Sequence, residues 1–524
     1  MYRGHLARGW RRSRGRDAHG TTMSRSTYEQ PSTPPTDPPE THNGRLTTTR
    51  IPLKQFKEDA ELAAADDPQR LFVRTAMRNV ANTRAKTEAM FGSIQSARDV
   101  AAAIKWEGLQ NIEAMLLQFE ENATKNGINV HWAADGPSVC NQVIEIMRQN
   151  NARSVIKSKS MATEEVHLNH ALLDAGFEVV ESDLGEYIIQ LRDEAPYHFV
   201  FPSMHLKRGE IKDAFDHKVS REESAPVASD DPEALTMFAR NIMRQKYLSA
   251  DVGISGGNFI IADSGAIAIT ENEGNARLTC GVPKIHIVVV GIEKIAPKLE
   301  DLALLQTMLG TAGAGQLLTG YNTVYFGPRR RNENGEGEVD GPEQMHVILL
   351  DNGRTKLLAD PALRDALRCI RCGACLNVCP IFSNVGGHTY GTTYQGPIGA
   401  VISPPMRGTA QYGHLAYASS LCGACTETCP VKIDLHHHLL RIRQQYTVAK
   451  PQAAEKSAMN WFARTMRHPL LYRAGARVAL TFDGLLRPLH GTRLDAISAW
   501  RKRRSLPGKP TQSFTSWWQS GGKQ

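Results

Sequence analysis

Seven of the nine cysteines in this 524-residue chain fall between positions 369 and 429, in two runs of matching spacing. The first run is Cys369, Cys372, Cys375, Cys379 and Pro380; the second is Cys422, Cys425, Cys429 and Pro430. A C-x2-C-x2-C segment wraps three thiolates round one cubane, and the cysteine before the proline turns away to serve a neighbouring cluster. On that rule Cys369, Cys372, Cys375 and Cys429 hold one [4Fe-4S] cluster, and Cys379, Cys422 and Cys425 hold a second. Ser419 stands where the repeat would place an eighth cysteine. The second site is therefore one thiolate short. Ser419, a residue elsewhere such as His414, a partner or a small molecule could complete it, or it could hold three irons. Paired zinc knuckles are the competing reading, because tetrahedral zinc also takes paired C-x2-C. Such sites rarely use a four-cysteine run ending in proline followed by a truncated copy, so two iron–sulfur clusters are the expectation.

The chain is long enough for two to four domains, and its 41% hydrophobic content suits a globular protein. Cys140 and Cys280 lie far apart and make no disulfide framework; clusters and free thiols together imply a reducing cytoplasm. No apolar run approaches the ~18–20 residues a membrane helix needs. The net charge of +8 is unevenly placed. Residues 1–17 carry six arginines against one aspartate, and residues 441–504 carry fourteen Lys or Arg against Glu455, Asp483 and Asp495. The body between them is consequently acidic. The basic tail, which also carries Trp461, Phe462, Leu470, Leu471, Val478 and Leu480, reads as a docking segment for an acidic protein surface, with a membrane surface as the other route to the same composition.

Residues 1–45, rich in Arg, Ser, Thr and Pro, cannot bury a core and are expected to be disordered, with Met23 as an alternative start. This leader lacks the folded scaffold of a nucleic-acid binder, so no nucleic-acid partner is expected. From Phe56 to Asn126 apolar residues recur at helical spacing, as at Val73, Met77 and Val80. The period then changes. Short apolar runs at Val130–Ala134, Ser154–Ile156, Phe177–Val180 and His198–Phe201 read as strands, with helices near 138–149 and 164–175 between the first three. Alternating strands and helices predict an α/β domain with a largely parallel sheet.

Lys157-Ser-Lys-Ser160, Thr163-Glu-Glu165 and Asp183-Leu-Gly-Glu186 follow predicted strand ends, where open α/β sheets bind ligands, and suggest a pocket for an anion. A helix cap at Thr163 beside solvated lysines explains the same residues. Gly253 to Asn258 precedes strands at Phe259–Ile261 and Ala266–Thr270 joined by Asp263-Ser-Gly265, which reads as a hairpin. Buried strands follow at Lys284–Val290 and Met345–Leu350, flanking an exposed loop at 327–343, and a helix from Asp360 to Arg368 delivers Cys369. The Gly386-Gly-His-Thr-Tyr390-Gly bridge leads to the second run. His436, His437 and His438 point in different directions on a helix and read as a solvated face.

Taken together, Lys157 to Glu165, Asp183 to Gln190, Gly253 to Asn258, Glu271-Asn-Glu-Gly-Asn-Ala-Arg277, Leu350-Asp-Asn-Gly353 and both cysteine runs resemble the lactate utilization protein B family. The resemblance covers residue 50 to the C-terminus. It implies a NagB/RpiA/CoA-transferase-like α/β domain followed by an α-helical two-cluster ferredoxin-like module and a short C-terminal region. It also implies seven cysteine ligands, so Ser419 does not depart from the family. The implied role is that of the iron–sulfur electron-transfer subunit of a complex oxidising L-lactate to pyruvate. Its partners would be a cysteine-rich subunit, a second α/β subunit and an electron acceptor, in the cytoplasm or peripheral to the membrane. The expected division is 1–45 leader, 46–352 α/β domain, 353–445 two-cluster module and 446–524 basic helical region. Two other readings stand beside it: an isomerase or CoA-transferase-like enzyme with structural or sensory clusters, and a two-cluster subunit of another dehydrogenase or reductase.

Overall fold

The computed structural model describes residues 52–219, 227–330, 335–451 and 453–475, with 504, 512 and 514–521; the basic leader lies outside the described residues. Among the described residues, ten strands form two sheets. They are β1 (Asn129–Ala133), β2 (Ser154–Lys157), β3 (Glu178–Glu181), β4 (Val252–Ser255), β5 (Phe259–Ile261), β6 (Ile267–Glu271), β7 (Ile285–Gly291), β8 (Ile295–Ala296), β9 (Tyr321–Tyr325) and β10 (Gln344–Leu350). The larger sheet runs β1-β10-β7-β4-β2-β3, and every pairing is parallel. Its central strands β7 and β10 are buried almost end to end, as strands covered on both faces by helices must be, which is why they read as continuous apolar runs. The smaller sheet runs β8-β5-β6-β9. Here β5 and β6 form the expected antiparallel pair, with Phe259 opposite Ala268. Gly265 takes φ +68° in that connection, and a side chain there would meet the backbone of Ala123.

Helices Leu53–Ala65, Asp67–Glu88, Ile94–Gln110 and Ile112–Lys125 precede β1. Asp66 and Ser93 cap the second and third by accepting from Gln69 N and Ser96 N, each such cap contributing about 1 kcal/mol. Val73, Met77, Leu109, Leu116 and Phe119 turn inward and join one core with β5, β6, β7 and the residues around both cysteine runs, including Leu376, Phe382 and Leu439. The α/β domain and the cysteine-bearing segment thus share apolar packing rather than meeting at a wet interface. The other face of the large sheet is closed by Val139, Val143, Met147, Leu168 and Leu172.

Two expectations differ from the observed fold. His198–Phe201 is a bend-rich loop without strand pairing. Phe199 is buried against the cysteine segment while Val200 and Phe201 are half-buried, so the segment carries the composition of a strand without a ladder to join. Residues 361–363 are turn, and only Arg364–Arg368 winds, as a 3-10 helix, into Cys369.

The chain beyond Lys450 is a separate unit, in which helices Ala453–Arg467 and Phe514–Gln519 are described and expose Trp461, Phe462 and Trp518. Val478 and Leu480 lie outside the described residues. No helix among the described residues is long and apolar enough to cross a membrane.

Candidate metal centre

The two cysteine runs repeat in backbone as well as in spacing. Arg371 and Leu421 take positive φ (62° and 56°), Gly373 and Gly423 follow at 78° and 83°, and each glycine opens a one-turn helix, Ala374–Asn377 or Ala424–Glu427. A left-handed residue on each side of Cys372, and of Cys422, curls the chain sharply at both places. Arg371 and Leu421 carry side chains in a region that disfavours them, a conformation held by the surrounding structure at a cost of about 1–3 kcal/mol each.

One apolar cavity is lined by Cys369, Cys372, Cys375 and Cys429, with Phe199, Ile398, Val431, Ile433 and Leu435 around them. Burial and then the neighbouring cysteines, among them Cys425 and Cys429, push the Cys375 thiol well above its ordinary value. Burial and then Cys369 and Cys429 push Cys372 up to about 12. The other three cysteines are mutually near: Cys425, pushed up to about 11 by burial, feels Cys379 next and also Cys422, and Cys379 feels Cys422. Backbone N–H groups point at three of the sulfurs, from Arg371 to Cys369 (3.4 Å), Phe382 to Cys379 (3.4 Å) and Ile433 to Cys429 (3.3 Å). Such bonds favour the thiolate, and buried thiols this reluctant to ionise surrender their protons only to a bound cation.

The donor set of the first cage suits an iron–sulfur cluster, since its four thiols are, among the described residues, the only metal-binding side chains lining that cavity. At the deficient corner, Ser419 Oγ accepts from Leu421 N at 3.1 Å, the counterpart of the bond from Arg371 N to Cys369 Sγ. His414, the other candidate, is buried edge-on against Phe56.

Around the first cage lies a buried ionic network that the sequence did not disclose. Arg354 grips Glu165 with two bonds (3.0 and 2.7 Å) and reaches Glu293 at 2.5 Å, while Arg371 meets Glu293 at 3.2 Å. Tyr394 and Asn352 also donate to Glu165. Three strand ends supply the parts: Glu165 follows β2, Glu293 follows β7 and Arg354 follows β10. Gly291 is required here, since a Cβ would sit 2.1 Å from the Glu293 carboxylate. Although burial opposes ionisation, Arg354 and Arg371 hold Glu293 at about 2. Lys105, with Nζ donating to the carbonyls of Glu293 and Ile295 (2.7 and 2.8 Å), is lowered to about 7 by burial and then Lys294. Lys105, Lys294 and Arg371 all act on Cys369. Glu165 and Arg354 lay in or beside stretches singled out by sequence, but Lys105, Glu293 and Lys294 sit in apolar segments without a motif.

The pocket suggested for an anion turns out differently. Lys157 is wholly buried and held by Glu181 (2.7 Å) and Glu164 (3.1 Å), Lys159 gives its ammonium to Val200 O at 2.5 Å, and the helix cap is Ser160 rather than Thr163. Burial and the nearby Glu164 and Glu181 push Glu186 well above its ordinary value. These strand ends carry more acid than free base. The histidines after the second run also differ from one another: His437 is exposed, whereas His438 is buried and meets Asp365 at 2.7 Å.

Residues 116–350 match the LUD domain, and residues 365–433 match the 4Fe-4S dicluster domain. Lactate utilization protein B of Bacillus cytotoxicus is 40% identical over 480 residues, covering 90% of this chain and 98% of the relative. The chain belongs to the lactate utilization protein B family. An uncharacterized electron transport protein of Escherichia coli K12, YkgF, is 42% identical over 468 residues, covering 88% of this chain and 96% of that protein. A solved DUF162 family protein from Deinococcus radiodurans aligns with 46% of this chain at 15% identity and a TM-score of 0.25, too remote to inform the fold. Family membership and the dicluster match assign the cysteine segment to iron–sulfur binding.

Proposed function

We propose that this chain is the electron-relay subunit of a cytoplasmic complex that oxidises L-lactate to pyruvate, working with a cysteine-rich subunit and a second α/β subunit. The observation that carries the reading is the pair of adjoining thiol cages built from one repeat, with Cys375 near enough to feel Cys425 of the other run. Cys369, Cys372, Cys375 and Cys429 hold one [4Fe-4S] cluster, and Cys379, Cys422 and Cys425 hold the second. Bound clusters supply one-electron transfer. Lactate gives up two electrons and two protons as its C2–OH becomes the pyruvate carbonyl, so two adjoining one-electron centres match the stoichiometry. The names of the relatives, one for lactate utilization and one for electron transport, support the same role.

The protein's own residues set the conditions. Phe199, Ile398, Val431 and Leu435 keep water from the first cage, and Arg371, Lys105 and Lys294 offset the negative charge of four thiolates there. Cys422 is exposed, which puts the second cage at the surface where a redox partner can approach. The test is anaerobic co-purification with the two partner subunits, followed by addition of L-lactate. Lactate-dependent appearance of reduced-cluster EPR signals, with pyruvate formed, supports the relay. Clusters that dithionite reduces but lactate does not, in a complex that makes pyruvate, would overturn it.

A further inference from the structure

Outside both thiol cages, three metal-ligating side chains meet where the α/β domain touches the bridge between the cysteine runs. Glu194 follows the helix Leu184–Arg192, His205 lies in the next loop, and His388 opens the 3-10 turn His388–Tyr390. One ligand atom from each lies within 4.8 Å of the other two, and all three residues are half-buried. Glu194 Oε2 and His205 Nε2 are 3.0 Å apart. Adjacent ligands on a tetrahedral ion with bonds of about 2.0–2.1 Å are separated by about 3.3 Å, so the pair needs little movement to close on a cation.

Each group is also oriented from behind, as ligands of a metal site usually are. Arg192 Nε donates to Glu194 Oε1 at 2.8 Å, which leaves Oε2 for the histidine side. His388 Nε2 donates to Ala195 O at 2.7 Å, which fixes the tautomer and leaves a lone pair on Nδ1. Tyr197 stacks on His205 with centroids 4.7 Å apart and meets His388 edge-on at 5.1 Å. The two glycines before His388 make this approach possible. A Cβ at Gly387 would lie 1.6 Å from Tyr197 O, and one at Gly386, where φ is +73°, would lie 2.3 Å from the Tyr197 hydroxyl.

We infer that Glu194, His205 and His388 bind one divalent first-row transition ion of the zinc class, with a remaining position for water or a small oxygen ligand. Two imidazoles and one carboxylate select this class over calcium or magnesium, which take oxygen donors. The ion joins a loop of the α/β domain to the bridge between the cysteine runs. From Tyr197 the packing continues to Phe382 (6.1 Å between centroids), whose N–H reaches Cys379 Sγ. The other histidine–carboxylate group, Asp434 with His436 and His437, is more exposed, and Asp434 already accepts at both oxygens from His437; it serves as the control.

The experiment uses the full chain, purified anaerobically with its clusters and dialysed against Zn2+ with a competing chelator. Zinc is read by elemental analysis and by X-ray absorption at the zinc edge, and variants are compared at equal cluster iron. One equivalent of zinc with only nitrogen and oxygen neighbours is expected. Affinity should fall at least tenfold in His388→Gln and in Glu194→Gln, the latter keeping size and the Arg192 acceptor, and stay unchanged in His437→Gln. Absence of that equivalent, sulfur neighbours at about 2.3 Å, or loss of zinc in His437→Gln alone overturns the assignment. Because the readout is zinc and not lactate turnover, this site and the electron-relay reading fail independently.

Discussion

The first and second thiol cages share a backbone plan yet differ in what surrounds them. Both have a positive-φ residue and a glycine flanking one cysteine, Cys372 or Cys422, followed by a one-turn helix. The first is sunk in the common core, with Arg84 acting on Cys372, Arg98 on Cys429, and Lys105, Lys294 and Arg371 on Cys369. At the second, burial, backbone N–H groups and other cysteines dominate the environment of Cys379 and Cys425, while Cys422 is exposed and Ser419 replaces a thiol. Backbone geometry is thus copied by the repeat, whereas charge and burial are decided by what each copy packs against. The cage in the core needs cations because it has no water to screen its thiolates.

The sharpest way to break this comparison is to remove one crossing cysteine from each cage. Cys379→Ser leaves the second site two thiolates, and its iron and EPR signal should vanish. Cys429→Ser leaves the first site three thiolates and should convert it to a three-iron form with a characteristic oxidised EPR signal. If each substitution instead empties the cage of its own run, crossed ligation is wrong.

Next in size is Glu293→Ala. It leaves Arg354 and Arg371 short of a buried counter-charge, and the cost should be about 3–5 kcal/mol in denaturant unfolding. An unfolding midpoint within error of the parent would show that Glu165 alone suffices to balance the network.

Lys105→Met sharpens the electrostatic half of the contrast. Removing a buried cation that acts on Cys369 should lower the midpoint potential of the first cluster by tens of millivolts, on the order of what second-layer charges do, and leave the second unchanged. Redox titration followed by EPR separates the two. Equal shifts in both would mean that the lysine acts through the fold rather than through its charge.

The smallest effect is expected at the deficient corner. Ser419→Cys should raise the iron content of the second site toward four, because the serine already makes the backbone bond of its cysteine counterpart. Ser419→Ala should cost about 1 kcal/mol for the lost bond. If Ser419→Ala empties the second site, the hydroxyl is itself a ligand.

Much of this was legible before folding was considered. Cysteine spacing is a local property, and the reach of a three-residue gap follows from the chain alone. The central strands β7 and β10 were visible for a similar reason: each must be apolar along almost its whole length to lie in a covered parallel sheet. His198–Phe201 is as apolar and forms no strand: Phe199 is buried by packing against the cysteine segment rather than by pairing, and Val200 and Phe201 stay half-buried. Lys157 looked solvated and is wholly buried, since the carboxylates that hold it, Glu164 and Glu181, come from different elements.

What the sequence determined by itself was the set of chemical groups and their local spacing: seven thiols in two runs, the glycines that let each run curl, and an apolar α/β frame. Tertiary structure alone decided which charges face which cage. Glu165, Glu293, Arg354 and Arg371 are separated by up to 206 positions and meet because the parallel strands β2, β7 and β10 end on one side of the sheet. Burial there removes water, and with it the screening that would otherwise make such distant charges indifferent to one another.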